Sequence, residues 1–252
     1  RLSLDPSTAA ASVDPTGAAA RMSRRHAWLT FTAGGPPLAH TLMTDAVAWQ
    51  RALRSLQSRW YATDAPPQVA AAFVLQWLLQ VPAHTGAHAA ASGPWRADLT
   101  HLSFALDPAT VPREVRLNGL VADEGSLEQR LNRAERDYRA VAQPLATAYE
   151  SQVRLGPHTR SMMVDDMWNA ARREAESAAG LLRPGATPRA SCCLLYALPG
   201  CVECAGCPRL RPSATSGTLV PGEGITAVAL RRAGVPVVSE DDVANGVLPE
   251  GC

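Results

Sequence analysis

The chain has 252 residues, enough to bury a sizeable core, and a formal net charge of +1. That balance excludes a strongly basic nucleic-acid footprint and a polybasic membrane-binding surface. All basic side chains are arginine, with no lysine, and alanine is abundant. This is a coding bias that takes meaning away from any single arginine.

Residues 1–40 are rich in Ala, Ser, Thr, Pro and Gly and read as a flexible N-terminal arm, with a short strand near Trp28–Thr32. The first residue is Arg1, so the natural start is expected to lie upstream. No signal-peptide core stands in 1–27. The first helix is predicted from about Thr44 to Tyr61, with Trp49, Leu53, Leu56 and Trp60 on one buried face. After Asp64-Ala-Pro-Pro a second helix, about 67–80, is apolar almost all round and belongs at the centre of the core. Gln76 and Gln80 break this stretch, and it is too short to span a bilayer.

Residues 95–122 read as short strands and turns, broken at Asp107-Pro108 and Asn118-Gly119. Ser126 with Gln129 forms a capping box ahead of a long helix, about 127–153. Its buried stripe is Leu127, Leu131, Ala134, Tyr138, Val141 and Leu145, and Pro144 is expected to kink it. A further helix spans about 158–179, with Met163, Met167 and Trp168 in the core. Arg183-Pro-Gly-Ala-Thr-Pro is a linker. The fold class is therefore mainly α with a minor β component (α+β), a helical body followed by a small cysteine-rich segment. The expected units are the arm 1–40, a helical substrate-docking domain 41–185, a cluster segment 186–212 and a C-terminal extension 213–252 with one short helix near 224–233.

Five of the six cysteines lie between Cys192 and Cys207, and Cys252 ends the chain. Such clustering favours metal over a disulfide framework. Cys204 and Cys207 form a Cys-x-x-Cys chelate, whose tight turn can place two sulfurs roughly 3.7 Å apart on one ion with metal–sulfur bonds of about 2.3 Å. At Cys192-Cys193 the backbone must turn for both sulfurs to converge, because successive side chains of an extended chain point to opposite faces. A vicinal disulfide there is disfavoured, since neighbouring Cα atoms about 3.8 Å apart fall below the usual lower limit of about 4.4 Å. Leu194, Leu195, Tyr196, Leu198 and Pro199 supply an apolar wall; Arg189 and Arg209 could moderate an anionic centre, although ordinary solvation is the plainer reading of both. Cys201 creates Cys201-x-x-Cys204-x-x-Cys207, part of a ferredoxin ligand run that Leu210 and Arg211 do not complete. A 2Fe–2S cluster, a 4Fe–4S cluster and structural zinc all remain open on the residues alone.

Cys192-Cys193, ten residues, then Cys204-Ala-Gly-Cys207-Pro208 resembles the ligand pattern of the FhuF-type ferric-siderophore reductases. The likeness is specific over about twenty residues and extends more weakly over 45–210. It implies a 2Fe–2S cluster on Cys192, Cys193, Cys204 and Cys207. It also implies an oxidoreductase that delivers one electron to siderophore-bound Fe(III) and releases Fe(II). The implied partners are a ferric siderophore, an unidentified protein or soluble electron donor, and peripheral contact with a siderophore importer. Nucleic acid and a transmembrane segment are not expected, and the expected location is cytoplasmic. The alternatives are an iron–sulfur redox sensor or regulator and a zinc-stabilised binding module.

Other residues weigh towards plain structural roles. His84 and His88 could share a helix face as ligands, but Pro82 and Gly86 weaken that helix and no third ligand presents itself, so they read as surface histidines. Asp165-Asp166 reads as the solvated edge of a helix and Arg172-Arg173 as an exposed helix end. Trp60 or Trp95 is the tryptophan expected to line a pocket. No Gly-rich phosphate loop, Ser–His–Asp set or flavin fingerprint stands out.

Overall fold

The computed structural model describes residues 13–181, 188–204 and 206–210; the segment 213–252, including Cys252, lies outside the described residues. The architecture is α+β, mainly helical with a minor strand component. The elements run α1 (Pro15–Ser23), β1 (Thr30–Ala33), β2 (His40–Thr41), α2 (Ala46–Trp60), α3 (Pro67–Ser92), β3 (Trp95–Ala97), β4 (Ser103–Leu106), β5 (Pro112–Leu117), β6 (Leu120–Ala122), α4 (Leu127–Ala148) and α5 (Pro157–Ala178). A four-stranded sheet has the order β1-β5-β4-β2, with β1 and β5 parallel and the other pairs antiparallel. β3 and β6 form a separate antiparallel pair.

Helix α3 is the axis of the fold. Every residue from Val69 to Ser92 is buried, and the helix packs against α1, α2, α4 and α5. It runs twelve residues beyond the predicted end at 80, straight through Pro82 and Gly86. A proline inside a helix costs about 3 kcal/mol, but apolar burial on all sides of a long helix outweighs that. Gly86 does not stop the helix. It lets α4 come close, because a Cβ there would stand 3.4 Å from Leu99 Cδ1 and 3.8 Å from the Ala134 Cβ. The two histidines expected at the surface are consequently interior: His84 is 2 % exposed and His88 fully buried.

The arm expected over 1–40 is corrected for its described part. Asp14 caps α1 by accepting the Thr16 and Gly17 N–H groups, and Pro15 stands at the first turn. Ala18, Ala19, Met22, Trp28, Leu29 and Phe31 all join the core. The strand near Trp28–Thr32 begins at Thr30, and its Phe31 N–H donates to Ser23 Oγ, tying the strand to α1.

In α2 the buried face is Trp49, Gln50, Leu53 and Gln57, while Trp60 is 44 % exposed. The stripe has turned away from Trp60 by the last turn. Helix α4 carries the capping box of Ser126 and Gln129 and ends at Ala148 rather than 153. Its deepest residues are Leu131, Ala134, Tyr138, Ala142 and Ala146, and Tyr138 donates its hydroxyl to the Val164 carbonyl of α5. Met163, Met167 and Trp168 of α5 are buried. Among the described residues no helix is long and apolar enough to cross a membrane.

Candidate metal centre

Arg189, Ala190 and Ser191 are held by side chains from the N-terminal halves of α3 and α5. Asp166 of α5 accepts hydrogen bonds from the Ala190 N–H (2.9 Å), the Ser191 N–H (2.7 Å) and the Ser191 hydroxyl (2.5 Å). Arg189 donates from Nη2 to Gln76 Oε1 of α3, and its backbone N–H donates to the Gly206 carbonyl. The glutamine that interrupts the apolar run is thus the contact of α3 with this segment. Asp165-Asp166 is no solvated edge: Asp166 is 5 % exposed and holds the segment, while Asp165 pairs with Arg139 at 2.6 Å.

The backbone turns immediately after the adjacent cysteines. Leu194 adopts φ +64°, and its N–H donates to Cys192 Sγ at 3.4 Å. A short 3-10 turn follows at Leu195–Ala197. The Cys207 N–H donates to the Cys204 carbonyl, closing the Cys-x-x-Cys turn, and Pro208–Leu210 forms a second 3-10 turn.

The four sulfurs come together. Cys192 Sγ lies 4.0 Å from Cys207 Sγ, and Cys204 hydrogen-bonds Cys193 with Cys207 also nearby. Contacts therefore join the adjacent pair to the Cys-x-x-Cys turn as well as the cysteines within each. The 4.0 Å gap is within a few tenths of the ~3.7 Å expected for two thiolates on one tetrahedral ion. Cys201 donates its S–H to the Tyr61 hydroxyl at 3.4 Å.

Charge is distributed unevenly over the set. The Cys204 hydrogen bond, with help from Arg189 and backbone N–H groups, lowers the Cys193 thiol to about 6 against the opposing effect of burial. Burial pushes Cys192 up to about 11, and the proximity of Cys193 and Cys207 adds to the rise. Cys204 is held well above the usual thiol range by its bond to Cys193 and by burial. Negative charge on several sulfurs in so small a space calls for a metal cation to balance it.

Of the two arginines expected nearby, Arg189 acts on Cys193 and Cys204. Arg209 stacks on the Tyr196 ring at 4.1 Å and pairs with Glu203. Cys193, Cys204 and Cys207 are buried and Cys192 is half-buried. Cys192, Ser191, Leu194 and Pro208 border a cavity of about 350 Å³, whose other side includes Gln68, Arg154 and His158.

The remaining candidates sit elsewhere. Arg172 bonds Glu176 and Asn132, joining α5 to α4. Trp95 borders a separate cavity of about 290 Å³ beside α1. Sequence reasoning missed Asp166 as the anchor of the segment, and no local pattern distinguishes it from Asp165.

Residues 189–209 match the family described as the FhuF 2Fe-2S C-terminal domain. The cofactor of this domain is a 2Fe–2S cluster, and the paired thiols and the adjacent N–H donors and arginine fit such a group. The match does not extend into the helical body at 45–188. No curated protein and no solved structure matches the chain.

Proposed function

From an FhuF-type segment with its four thiols gathered together, we propose that the chain is a ferric-siderophore reductase that delivers one electron to siderophore-bound Fe(III). Cys192 with Cys207, and Cys193 with Cys204, are the two pairs that would each hold one iron. When bound, the 2Fe–2S cluster supplies a single electron, taken up beforehand from a separate donor and passed to Fe(III), which leaves as Fe(II). The change unlocks the complex because hard oxygen donors grip the trivalent ion far more strongly than the divalent one.

The protein's own contribution is position and environment. Asp166 and Gln76 fix the segment through Ser191 and Arg189. The Leu194 N–H and Arg189 stabilise negative charge on sulfur. The apolar residues Leu195 and Leu198 are buried beside the cysteines and keep water away.

The observation that carries the reading is the half-buried Cys192 at the border of the 350 Å³ cavity. Electrons tunnel efficiently only over short gaps, and this is the side on which a ferric complex approaches a sulfur ligand directly. Arg154 and His158, at the same cavity, suit the oxygen-rich, often anionic surface of a siderophore.

The test is anaerobic purification followed by iron, zinc and acid-labile sulfide analysis. The reduced protein is then mixed with ferric hydroxamate and ferric catecholate complexes, and Fe(II) is trapped by a ferrous chelator. About two irons and two sulfides per chain are expected, with a half-spin resonance signal on reduction and rapid reoxidation by at least one ferric complex. A colourless zinc protein, or a cluster that no ferric siderophore reoxidises, overturns the proposal.

A further inference from the structure

The continuation of α3 through Pro82 and Gly86 has a chemical result away from the cysteines. It puts His84 and His88, one helical turn apart, on the face that meets Glu174 of α5. His26, in the turn after α1, closes the group. One donor atom from each of the four residues lies within 4.8 Å of the other three. His84 Nδ1 is 3.6 Å from Glu174 Oε2, His88 Nε2 is 3.6 Å from Oε1, and His26 Nε2 is 2.9 Å from His84 Nδ1.

Two features separate this group from an ordinary hydrogen-bonded core cluster. First, neither ring nitrogen of the fully buried His88 has a hydrogen-bond partner. Leaving a buried polar group unpaired costs about 1–3 kcal/mol, and folding around it calls for a compensating ligand. Second, a metal ion with bonds of about 2.0–2.1 Å to nitrogen and oxygen sets its donors roughly 3.3–3.4 Å apart, close to the His–Glu distances above.

We propose that His84 Nδ1, His88 Nε2 and the Glu174 carboxylate bind a divalent first-row transition-metal ion, with His26 holding the site from the outer shell. His26 is assigned outside because its Nδ1 already accepts the Trp28 and Leu29 N–H groups. Its proton therefore sits on Nε2, which cannot coordinate and which donates to His84 Nδ1 at 2.9 Å; metal binding frees that nitrogen by turning the His26 N–H to Glu174 Oε1, 3.5 Å away. Two imidazoles and a carboxylate, without thiolate, suit Zn²⁺ or Fe²⁺ and not a soft monovalent ion. The Glu174 side chain is 33 % exposed, which leaves a path for the ion and room for a water ligand. Arg25, held by the Ala91 carbonyl, acts on His88 from nearby and sets a modest affinity.

This site is distinct from the cysteine centre. Gln76 and Asp166, which hold the cysteine segment, each precede a site residue, His84 and Glu174, by eight positions on their helices. Eight residues of helix advance about 12 Å.

The test uses full-length, cluster-containing protein, dialysed against zinc chloride and then against buffer, with zinc, iron and sulfide measured on the same sample. About one equivalent of zinc is expected without loss of iron, together with a raised unfolding temperature. His88→Ala and Glu174→Gln should each remove the zinc and leave the iron unchanged; Glu174→Gln, at the exposed edge, covers the case in which His88→Ala does not fold. His26→Gln should weaken binding about 10–100-fold without abolishing it, as loss of an outer-shell donor does. Cys204→Ser should still take up the zinc. Failure of the wild type to bind zinc at 100 µM-order concentrations, about a hundredfold above a micromolar affinity, overturns the proposal. So does zinc uptake that survives both His88→Ala and Glu174→Gln.

Discussion

The Asp166 carboxylate accepts both the backbone N–H and the hydroxyl of Ser191, at 2.7 and 2.5 Å, in a site where Asp166 is 5 % exposed and Ser191 3 %. Ser191 is covalently next to Cys192, so one side chain of α5 bears on where the adjacent cysteines Cys192 and Cys193 stand. Asp166→Ala strands several buried donors, each costing about 1–3 kcal/mol. The expected result is a protein with its helical circular-dichroism signal kept and most of its iron and sulfide lost. Asp166→Asn, which keeps one acceptor oxygen, should retain an intermediate amount. Full iron content in Asp166→Ala would show that the cysteine segment holds its position without α5.

Arg189 bears on the same centre through charge. It lowers the Cys193 thiol and opposes the rise at Cys204. Adding an electron makes an anionic cluster more negative, and a nearby guanidinium favours that form. Arg189→Gln should therefore shift the midpoint potential downward, by on the order of 59 mV if the effect is tenfold in the equilibrium. A spectroelectrochemical titration against the wild type reads this directly, and Arg189→Lys should restore part of the shift.

Cys201 separates the ligand set from a ferredoxin-like run. Its S–H donates to the Tyr61 hydroxyl at 3.4 Å. Cys201→Ser should keep the visible spectrum and iron content of the wild type, whereas Cys204→Ser should lose both. A Cys201→Ser protein devoid of iron would reassign the ligands.

The cysteine segment was legible in the sequence because its chemistry is local: an adjacent pair and a Cys-x-x-Cys turn lie within sixteen residues. The capping box at Ser126 and the buried Met163, Met167 and Trp168 were legible for the same reason, since each rests on neighbours three or four positions away. What escaped depends on distant partners. Asp166 looks like Asp165 until Ser191 is laid against it. His84 and His88 look like surface residues as long as Pro82 and Gly86 are taken to end α3; His26 and Glu174 come from elements remote in sequence. The packed helix α1 was hidden by a composition typical of loops, although Asp14-Pro15 is a fair helix start.

Acid should test the buried histidines. Burial pushes all three rings down, His84 and His88 to about 3 and His26 further, with the neighbouring histidines adding to the fall at His26. In the unfolded chain they take up protons near pH 6.5, so below that value the unfolded state binds more protons than the folded one. The sign follows: stability is fully present above pH 6.5 and is lost as pH falls from there towards about 3. Each histidine contributes up to about 1.4 kcal/mol per pH unit in that window. Thermal melts with chelator present, from pH 7.5 to 4.5, should show a marked acid slope that is shallower in His88→Gln.

Gly86 offers a test of the continuous α3 in which the two substitutions move stability in opposite directions. The glycine is inside a regular helix, and a Cβ placed on it meets Leu99 Cδ1 at 3.4 Å and the Ala134 Cβ at 3.8 Å, both ordinary contacts. Gly86→Ala should therefore stabilise the protein by about 0.5–1 kcal/mol, through the lower conformational freedom of alanine in the unfolded chain. Gly86→Leu must drive α3 and α4 apart at Ala134 and should destabilise by about 1–3 kcal/mol. In a chain of this size each kcal/mol moves the unfolding midpoint by about 2–4 °C, so the two changes are resolved by calorimetry. If α3 ended near residue 80, position 86 would lie in a loop. There the leucine would meet no opposing helix, and the two variants would melt together.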